Sequence, residues 1–460
     1  MDNSKKIELF EKTKISKAVT TLIVPTILSS LVMILYNLAD TYFVGMLNKP
    51  IENAAVTLAA PVLLAFNAVN NLFGVGTSSM MSRALGAKDY DTVRSSSAFG
   101  FYSSLICGLV FSLACTVFKG PLLSLLGATT ETNAATAGYL KWTVSFGAVP
   151  AILNVVMAYL VRSEGSAIHA SIGTMSGCAL NILLDPIFIL PQGLDMGAEG
   201  AGLATYISNC VACIYFFIWI IAKRKNTFVC INPKKFSLKK KIVTGICGVG
   251  IPASIQNLLN VTGMTVLNNF MAGYSSDAVA AMGISHKTCM IPMYIAMGIS
   301  QGIMPLIGYN YASRNIKRMK ESVIYGTKIS MIFISVTTAL YCIFSGEIIR
   351  LFMDNEAIIS YGSVFIKGQS LAQPFLCMDF IAVGVFQACG MGKRSLMFAF
   401  MRKIVLEIPA LFVLDYLAPM YGLAFAQLFA EIILAVSAVI FLIKIFNDLK
   451  KENPIQANRQ

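Results

Sequence analysis

Charge is the scarcest element of this sequence: Asp, Glu, Lys and Arg make up only 13% of its 460 residues. A soluble domain carries about 25%, so a chain folding with most of its surface in water is excluded. Histidine occurs twice, as His169 and His286. Neither has partners at metal-ligand spacing, and both read as structural. No phosphate-binding loop of the G-x-x-x-x-G-K-[ST] type occurs, so ATP drive within this chain is not expected; Gly74-Val75-Gly76 reads as close helix packing. No nucleophile–base or paired-acid constellation points to an enzyme. The eleven cysteines lack paired or metal-like spacing, and Cys107, Cys115, Cys178, Cys210 and Cys213 lie in apolar stretches as small packing residues. The alternating short strands of a membrane barrel are missing. A cleavable signal peptide is not expected, because the first segment is polar and the apolar stretch from Ala18 is too long for one; the first span is expected to be its own insertion signal.

What the chain has instead is hydrophobicity: 56% of its residues are apolar and the mean hydropathy is +0.70. Apolar runs of about 20 residues, each able to cross a ~30 Å hydrocarbon core, recur throughout. They place spans at 17–44, 55–82, 96–118, 138–161, 168–190, 199–222, 242–270, 279–309, 323–345, 361–388, 396–418 and 421–446. The expected fold is an all-α membrane protein of twelve transmembrane helices.

The net charge of +13 is not a nucleic-acid footprint, because the basic residues sit in alternate loops. They cluster at Lys5, Lys6, Lys12, Lys14 and Lys17; at Arg83, Lys88 and Arg94; and from Lys223 to Lys241. Further clusters stand at Arg314, Lys317, Arg318 and Lys320, and at Lys393, Arg394, Arg402 and Lys403. The intervening loops hold Asp195 and Glu199, Asp277, and Asp354 and Glu356. This positive-inside pattern predicts both termini in the cytoplasm, and the expected location is the plasma membrane.

The basic stretch 223–241 divides the spans six and six, giving an N-terminal bundle (1–222), a cytoplasmic linker (223–241) and a C-terminal bundle (242–460). The halves repeat one another. Gly76-(x11)-Lys88-Asp89 matches Gly302-(x11)-Arg314-Asn315 at an offset of 226, and Val24-Pro25 matches Ile251-Pro252 at 227. Asp185-Pro186 finds only Pro409, and Gly202-Leu203-Ala204 matches Gly422-Leu423-Ala424. Six spans per half give both copies one orientation, so the bundles are expected to be related by an axis along the membrane normal. Repeats of this kind mark transporters with a cavity between the halves.

An ionisable side chain at the centre of a span costs at least about 2.5–3.5 kcal/mol and so needs a reason. Asp40 lies near the outer end of the first span. Asp185 sits some 25 Å up the fifth, at ~1.5 Å per residue, and Thr205 enters the sixth from outside. All three reach a similar depth, and Asn181 shares the face of Asp185 one turn away. Two carboxylates, an amide and a hydroxyl suit Na⁺ or a shared proton. The plainer alternative makes Asp40 a helix-end cap and Asp185 the neighbour of a proline kink. The second half carries Leu267 or Asn268, and Ile408, at the aligned positions, so the acids are specific to the first bundle.

Tyr36 and Asn37 beside Asp40, Asn154 in the fourth span, and Gln256 and Asn260 at i, i+4 in the seventh either line a cavity or bond helix to helix. The 23 methionines suit an adaptable apolar pocket or ordinary filling. Arg162 and Glu164 stand at a span end, suited to interface packing or gating. Asp379, Glu407 and Glu431 also fall in spans, and Glu407 near Arg402 and Lys403 reads as a structural ion pair.

Taken together, Pro25, Asn37-Leu38-Ala39-Asp40-Thr41-Tyr42-Phe43-Val44-Gly45, Asn71-Leu72-Phe73-Gly74-Val75-Gly76 and Ser82-Arg83-Ala84-Leu85-Gly86-Ala87-Lys88-Asp89-Tyr90 resemble the multidrug and toxic compound extrusion (MATE) family. Asn181-Ile182-Leu183-Leu184-Asp185-Pro186 and Met304-Pro305-Leu306-Ile307-Gly308-Tyr309-Asn310 add to the likeness, which runs from about Ile15 to Phe446 and is strongest to the bacterial multidrug branch. The resemblance implies export of bulky, often cationic drugs and dyes in exchange for H⁺ or Na⁺, by rocking between inward- and outward-open states. It assigns Asp40, Asn181, Asp185 and Thr205 to the cation site and Tyr36, Tyr139 and Asn154 to the cavity, with no second site carried over to the C-terminal half. No cofactor is implied beyond the coupling ion, and a single chain suffices for a pathway. A flippase for lipid-linked glycans is the nearest alternative, but it needs a basic cavity, whereas Lys and Arg here are expected in loops.

Overall fold

A computed structural model describes residues 3–47, 49–353 and 355–451, and among these it contains helices and no strand. Asp354, counted above in an acidic loop, lies outside the described residues. A short helix α1 (Asn3–Glu11) precedes α2 (Ile15–Met46). Helix α3 (Pro50–Asn70) runs through a π segment, Asn71–Val75, into α4 (Gly76–Gly86). Then come α5 (Tyr90–Val117), α6 (Lys119–Leu125), α7 (Asn133–Leu140), α8 (Ala148–Ser163), α9 (Ala167–Ile189) and α10 (Gly197–Ala222). The second half contains α11 (Lys240–Ala272), α12 (Ser276–Ala312), α13 (Ile316–Ile343), α14 (Ser345–Arg350) and α15 (Glu356–Ala388). It ends with α16 (Gly392–Phe400), a π segment over Met401–Glu407, α17 (Ile408–Leu417) and α18 (Ala426–Lys451).

Among the described residues, ten helices are long and apolar enough to cross a membrane, and α7–α8, bent by 45°, makes an eleventh span. The twelfth expected span is the run from α16 to α17. It is long enough, but Arg402, Lys403 and Glu407 interrupt its apolar sequence, with Arg402 and Glu407 buried.

The internal repeat is a repeat of backbone conformation. Lys88 (φ 59°) and Arg314 (φ 60°) both take the left-handed conformation that ends a helix. The next residue then caps the following helix: Asp89 accepts from the Thr92 amide at 3.1 Å and Asn315 from the Arg318 amide at 3.2 Å. Asp89 also takes bonds from the Thr92 hydroxyl and Lys241, and these bonds to Thr92 and Lys241 hold its carboxyl down from 3.8 to about 2.

Compact packing divides the chain inside two helices as well as between α1 and α2. One unit holds the described residues up to Lys12 together with Leu28–Ser254, and the other holds Thr13–Ile27 together with Ile255 onward. The two breaks inside helices fall two residues after a helix-internal proline, Pro25 in α2 and Pro252 in α11. The repeated glycines explain the exchange of opening segments. In the first unit, a Cβ on Gly76 would stand 2.5 Å from the Ile246 carbonyl oxygen of α11; in the second, a Cβ on Gly302 would stand 3.0 Å from Ile23 Cα of α2.

Gly250 packs its backbone against the Leu72 carbonyl in the same way, whereas Gly248 has open space where a Cβ would be. Gly76→Ala or Gly250→Ala is therefore expected to cost about 1–3 kcal/mol by overpacking. Gly248→Ala on the same helix should be neutral or stabilising by up to about 1 kcal/mol. Heat-unfolding midpoints of the detergent-solubilised variants check the contrast.

The stretch expected to be a linker is held against the first unit. The Cys230 amide donates to Ser97 Oγ at 2.9 Å and the Tyr102 hydroxyl to the Ile231 carbonyl at 2.8 Å. Phe228 stacks on Tyr90 and Phe236 on Phe99. The apolar run Phe228-Val229-Cys230-Ile231, set between basic clusters, makes this docking possible.

Candidate ion-coupling site

The site lies in the first unit, where two helix pairs approach closely. Gly177 of α9 admits the Ser208 carbonyl and Ala212 of α10, with contacts of 3.1 and 3.2 Å to an added Cβ. Gly202 of α10 admits the Tyr139 carbonyl of α7 at 2.9 Å in the same sense. With α7, α9 and α10 drawn together, the polar side chains on their facing surfaces are buried: Tyr139 is 4% exposed, Asn181 1% and Asp185 0%. Tyr36 and Asp40, one turn apart on α2, complete the group and are half-buried.

The four residues expected to share a depth are brought together. Asn181 Nδ2 donates to Thr205 Oγ1 at 3.4 Å. The Tyr36 phenol is hydrogen-bonded to Thr205 and lies within Coulombic range of both Asp40 and Asp185. The two carboxyls act on each other, and both act on Tyr139. Asp40 Oδ1 is buried with no hydrogen-bond partner among the described residues. Two like charges in one poorly hydrated place cannot both persist without compensation, so the pair favours holding a proton or ligating a cation. Among the described residues, no three His, Cys, Asp or Glu converge as a metal site. A monovalent ion here would need the amide and hydroxyl oxygens of Asn181, Thr205 and the two tyrosines as well.

The other polar candidates are placed elsewhere. Asn37 is on an exposed face of α2 and bonds back to the Met33 carbonyl at 2.9 Å. Asn154 donates to Asn209 Oδ1 at 2.9 Å within the first unit, joining α8 to α10. In the second unit Gln256 accepts from Gln387 at 3.4 Å, and Asn260 accepts from Arg402 Nη2 at 2.5 Å. Asn209 and Gln387 were not singled out in the sequence; an amide within an expected span was the available signal for both. His169 bonds to the Tyr215 hydroxyl at 3.1 Å, in keeping with a structural role.

Arg402 corrects one sequence reading. Counted above among loop residues, it is 2% exposed, inside the unit, with Nη1 donating to Asp379 Oδ2 at 2.8 Å. Glu407 pairs with Lys403 at 2.6 and 2.7 Å rather than with Arg402. Glu164 and Lys6, read as span-end and loop charges, form a buried ion pair at 2.5 Å.

Comparison with known proteins matches these features. The MatE family model matches twice, over residues 25–187 and 252–413, so its two copies begin at Pro25 and Pro252. The chain belongs to the MATE family. Among curated MATE relatives, a protein named "Multidrug export protein MepA" from Staphylococcus haemolyticus (strain JCSC1435) is 34% identical over 443 residues, covering 96% of both chains. Its namesake in Staphylococcus aureus (strain MRSA252) is 33% identical over 436 residues, covering 94% of both. A solved outward-facing multidrug resistance MATE transporter superposes with a TM-score of 0.91 at 25% identity, covering 97% of this chain and 99% of that one. Two MATE structures described as straight and bent superpose with TM-scores of 0.91 and 0.89, each at 26% identity, covering 97% and 98% of this chain and 99% of theirs.

Proposed function

We propose that this protein is a secondary active antiporter of the plasma membrane that exports small organic, often cationic, compounds in exchange for H⁺ or Na⁺. The observation that carries the reading is the convergence of Asp40 and Asp185 with Asn181, Thr205 and two tyrosines inside one helical unit. Relatives named as multidrug exporters support the substrate class. The straight and bent forms of related transporters support a cycle of at least two conformations.

Ion entry at the acid pair from outside favours the state that releases drug, and drug entry from the cytoplasm favours the state that releases the ion. Coupling requires only that the two ligands prefer different conformations, by about 1–3 kcal/mol. The test is ethidium efflux from vesicles under separately imposed proton and sodium gradients. Efflux that accelerates under one gradient and not under a potassium control is the expected result and names the ion. Efflux indifferent to both gradients overturns the antiport reading.

A further inference from the structure

At the end of α5 away from the Lys88-Asp89 turn, the first unit contains a cavity that the acid pair does not use. Its volume is about 220 Å³, below the ~300–1,000 Å³ of a pocket for a drug-sized ligand. Cys115 of α5, Leu122 of α6 and Leu140 of α7 give it an apolar wall. Phe146, which follows the π segment Lys141–Ser145, adds an exposed ring. The Ser112 hydroxyl donates to the Ser145 carbonyl and joins α5 to that segment.

Two ammonium groups complete the lining, Lys119 and Lys141, and both side chains are exposed. Lys141 donates to Glu199 Oε1 at 3.2 Å and lies 4.9 Å from the centre of the Trp142 ring. Lys119 makes no hydrogen bond or ion pair among the described residues. Glu199 acts on both lysines and also accepts from Trp142 Nε1 at 2.9 Å. Two lysines against this one carboxylate leave positive charge beside an apolar cavity. Such a site repels organic cations and suits an anion with an apolar tail. Exposed Val117, Phe118 and Leu125 lie beside it, and Trp142, Phe146 and Tyr206 form an aromatic group of the kind that marks a membrane interface.

The second unit supplies a comparison. At the repeat offset of 226, Ser345, Gly368 and Ala372 stand where the first unit has Lys119, Trp142 and Phe146, while Lys367 matches Lys141. Phe118 and Phe344, which precede the first of these positions, share one backbone conformation, with φ −102° and −101°. The lysine pair with its aromatic neighbours therefore belongs to the first unit.

We propose that this cavity holds one anionic phospholipid of the surrounding bilayer, with its phosphate between Lys119 and Lys141 and an acyl segment against Leu122, Leu140 and Phe146. Helix α7 and its π extension then carry the lipid contact at Lys141 and, two residues earlier, Tyr139 beside the acid pair. The lipid site does not depend on the antiport reading.

Quenching of tryptophan by brominated lipids tests it. Trp219→Phe leaves Trp142 as the single tryptophan. The protein is placed in phosphatidylcholine vesicles containing a small fraction of acyl-brominated phosphatidylglycerol or acyl-brominated phosphatidylcholine. The brominated anionic lipid should quench Trp142 at the lower mole fraction. Lys119→Gln and Lys141→Gln should each reduce that preference about 5-fold, and Lys367→Gln should leave it unchanged. Equal quenching by the two lipids overturns the proposal, as does a preference that survives loss of both lysines. A preference abolished by inorganic phosphate at constant ionic strength also overturns it, because the site then takes a free anion and needs no lipid. Should Trp219→Phe not fold, the same preference is read with both tryptophans present, and its indifference to the two lysine substitutions is equally decisive.

Discussion

Asp40→Asn and Asp185→Asn should each insert and fold but lose gradient-driven efflux. Asparagine keeps the size of aspartate and removes the charge, so the close packing around Gly177 and Gly202 is undisturbed. What disappears is the preference of the ion for one conformation. A coupling of about 1–3 kcal/mol corresponds to about 5–150-fold in affinity, and efflux under an imposed gradient should fall toward the rate without one. Asp185 is fully buried and Asp40 only half so, which makes Asp185→Asn the more severe change. The oxygen shell offers a second discrimination. Thr205→Val deletes a hydroxyl bonded to Tyr36 and Asn181. It should weaken sodium coupling strongly and proton coupling little, because a proton needs one carboxyl oxygen while Na⁺ needs several ligands. Gradient-driven efflux that persists in both aspartate variants removes this site from the mechanism.

Much of this arrangement was legible because apolar spans make polar residues conspicuous. Asp40, Asn181, Asp185 and Thr205 could be placed at one depth by counting residues at ~1.5 Å each. The matched pairs Lys88-Asp89 and Arg314-Asn315 turned out to be the same helix-end conformation followed by the same kind of cap. Tyr139 could be associated with the acids only through family resemblance, since nothing local distinguishes a tyrosine on a short helix before a bend.

The misreadings have one source. Counting Lys and Arg along the chain treats each as solvated, and that fails where a partner is distant in sequence. Arg402 pairs with Asp379 from another helix, and Lys6 finds Glu164 across 158 positions. The exchange of opening segments was equally hidden, because it depends on which helix the faces of Gly76 and Gly302 meet.

Removing the Glu164 carboxylate should be among the most destabilising single changes outside the spans. Its oxygens are fully committed. Oε1 takes Lys6 at 2.5 Å and the Ser166 hydroxyl at 3.1 Å, and Oε2 takes the Phe228 amide at 2.6 Å and the Thr227 hydroxyl at 2.9 Å. Lys6 also donates to the Asn226 carbonyl at 2.8 Å and lies over the Trp219 ring. One side chain in the turn between α8 and α9 thus ties down both α1 and the start of the linker. The neighbouring Gly165, at φ 87°, brings its backbone against Phe10 of α1. Glu164→Ala strands a buried ammonium and a buried amide, and breaking a buried pair from one side costs about 3–5 kcal/mol. The double change Lys6→Met, Glu164→Gln removes both charges and leaves an amide oxygen to accept from the Phe228 amide, so it should recover part of the loss. Heat-unfolding midpoints of Lys6→Met, Glu164→Gln and the double variant give the coupling. Tryptic cleavage at Lys223–Lys225 reports release of the linker, rising in Glu164→Ala and returning toward wild type in the double variant. A single variant as stable as wild type, with no added cleavage, makes the pair a bystander and leaves the linker held by contacts such as those with Ser97, Tyr102, Tyr90 and Phe99.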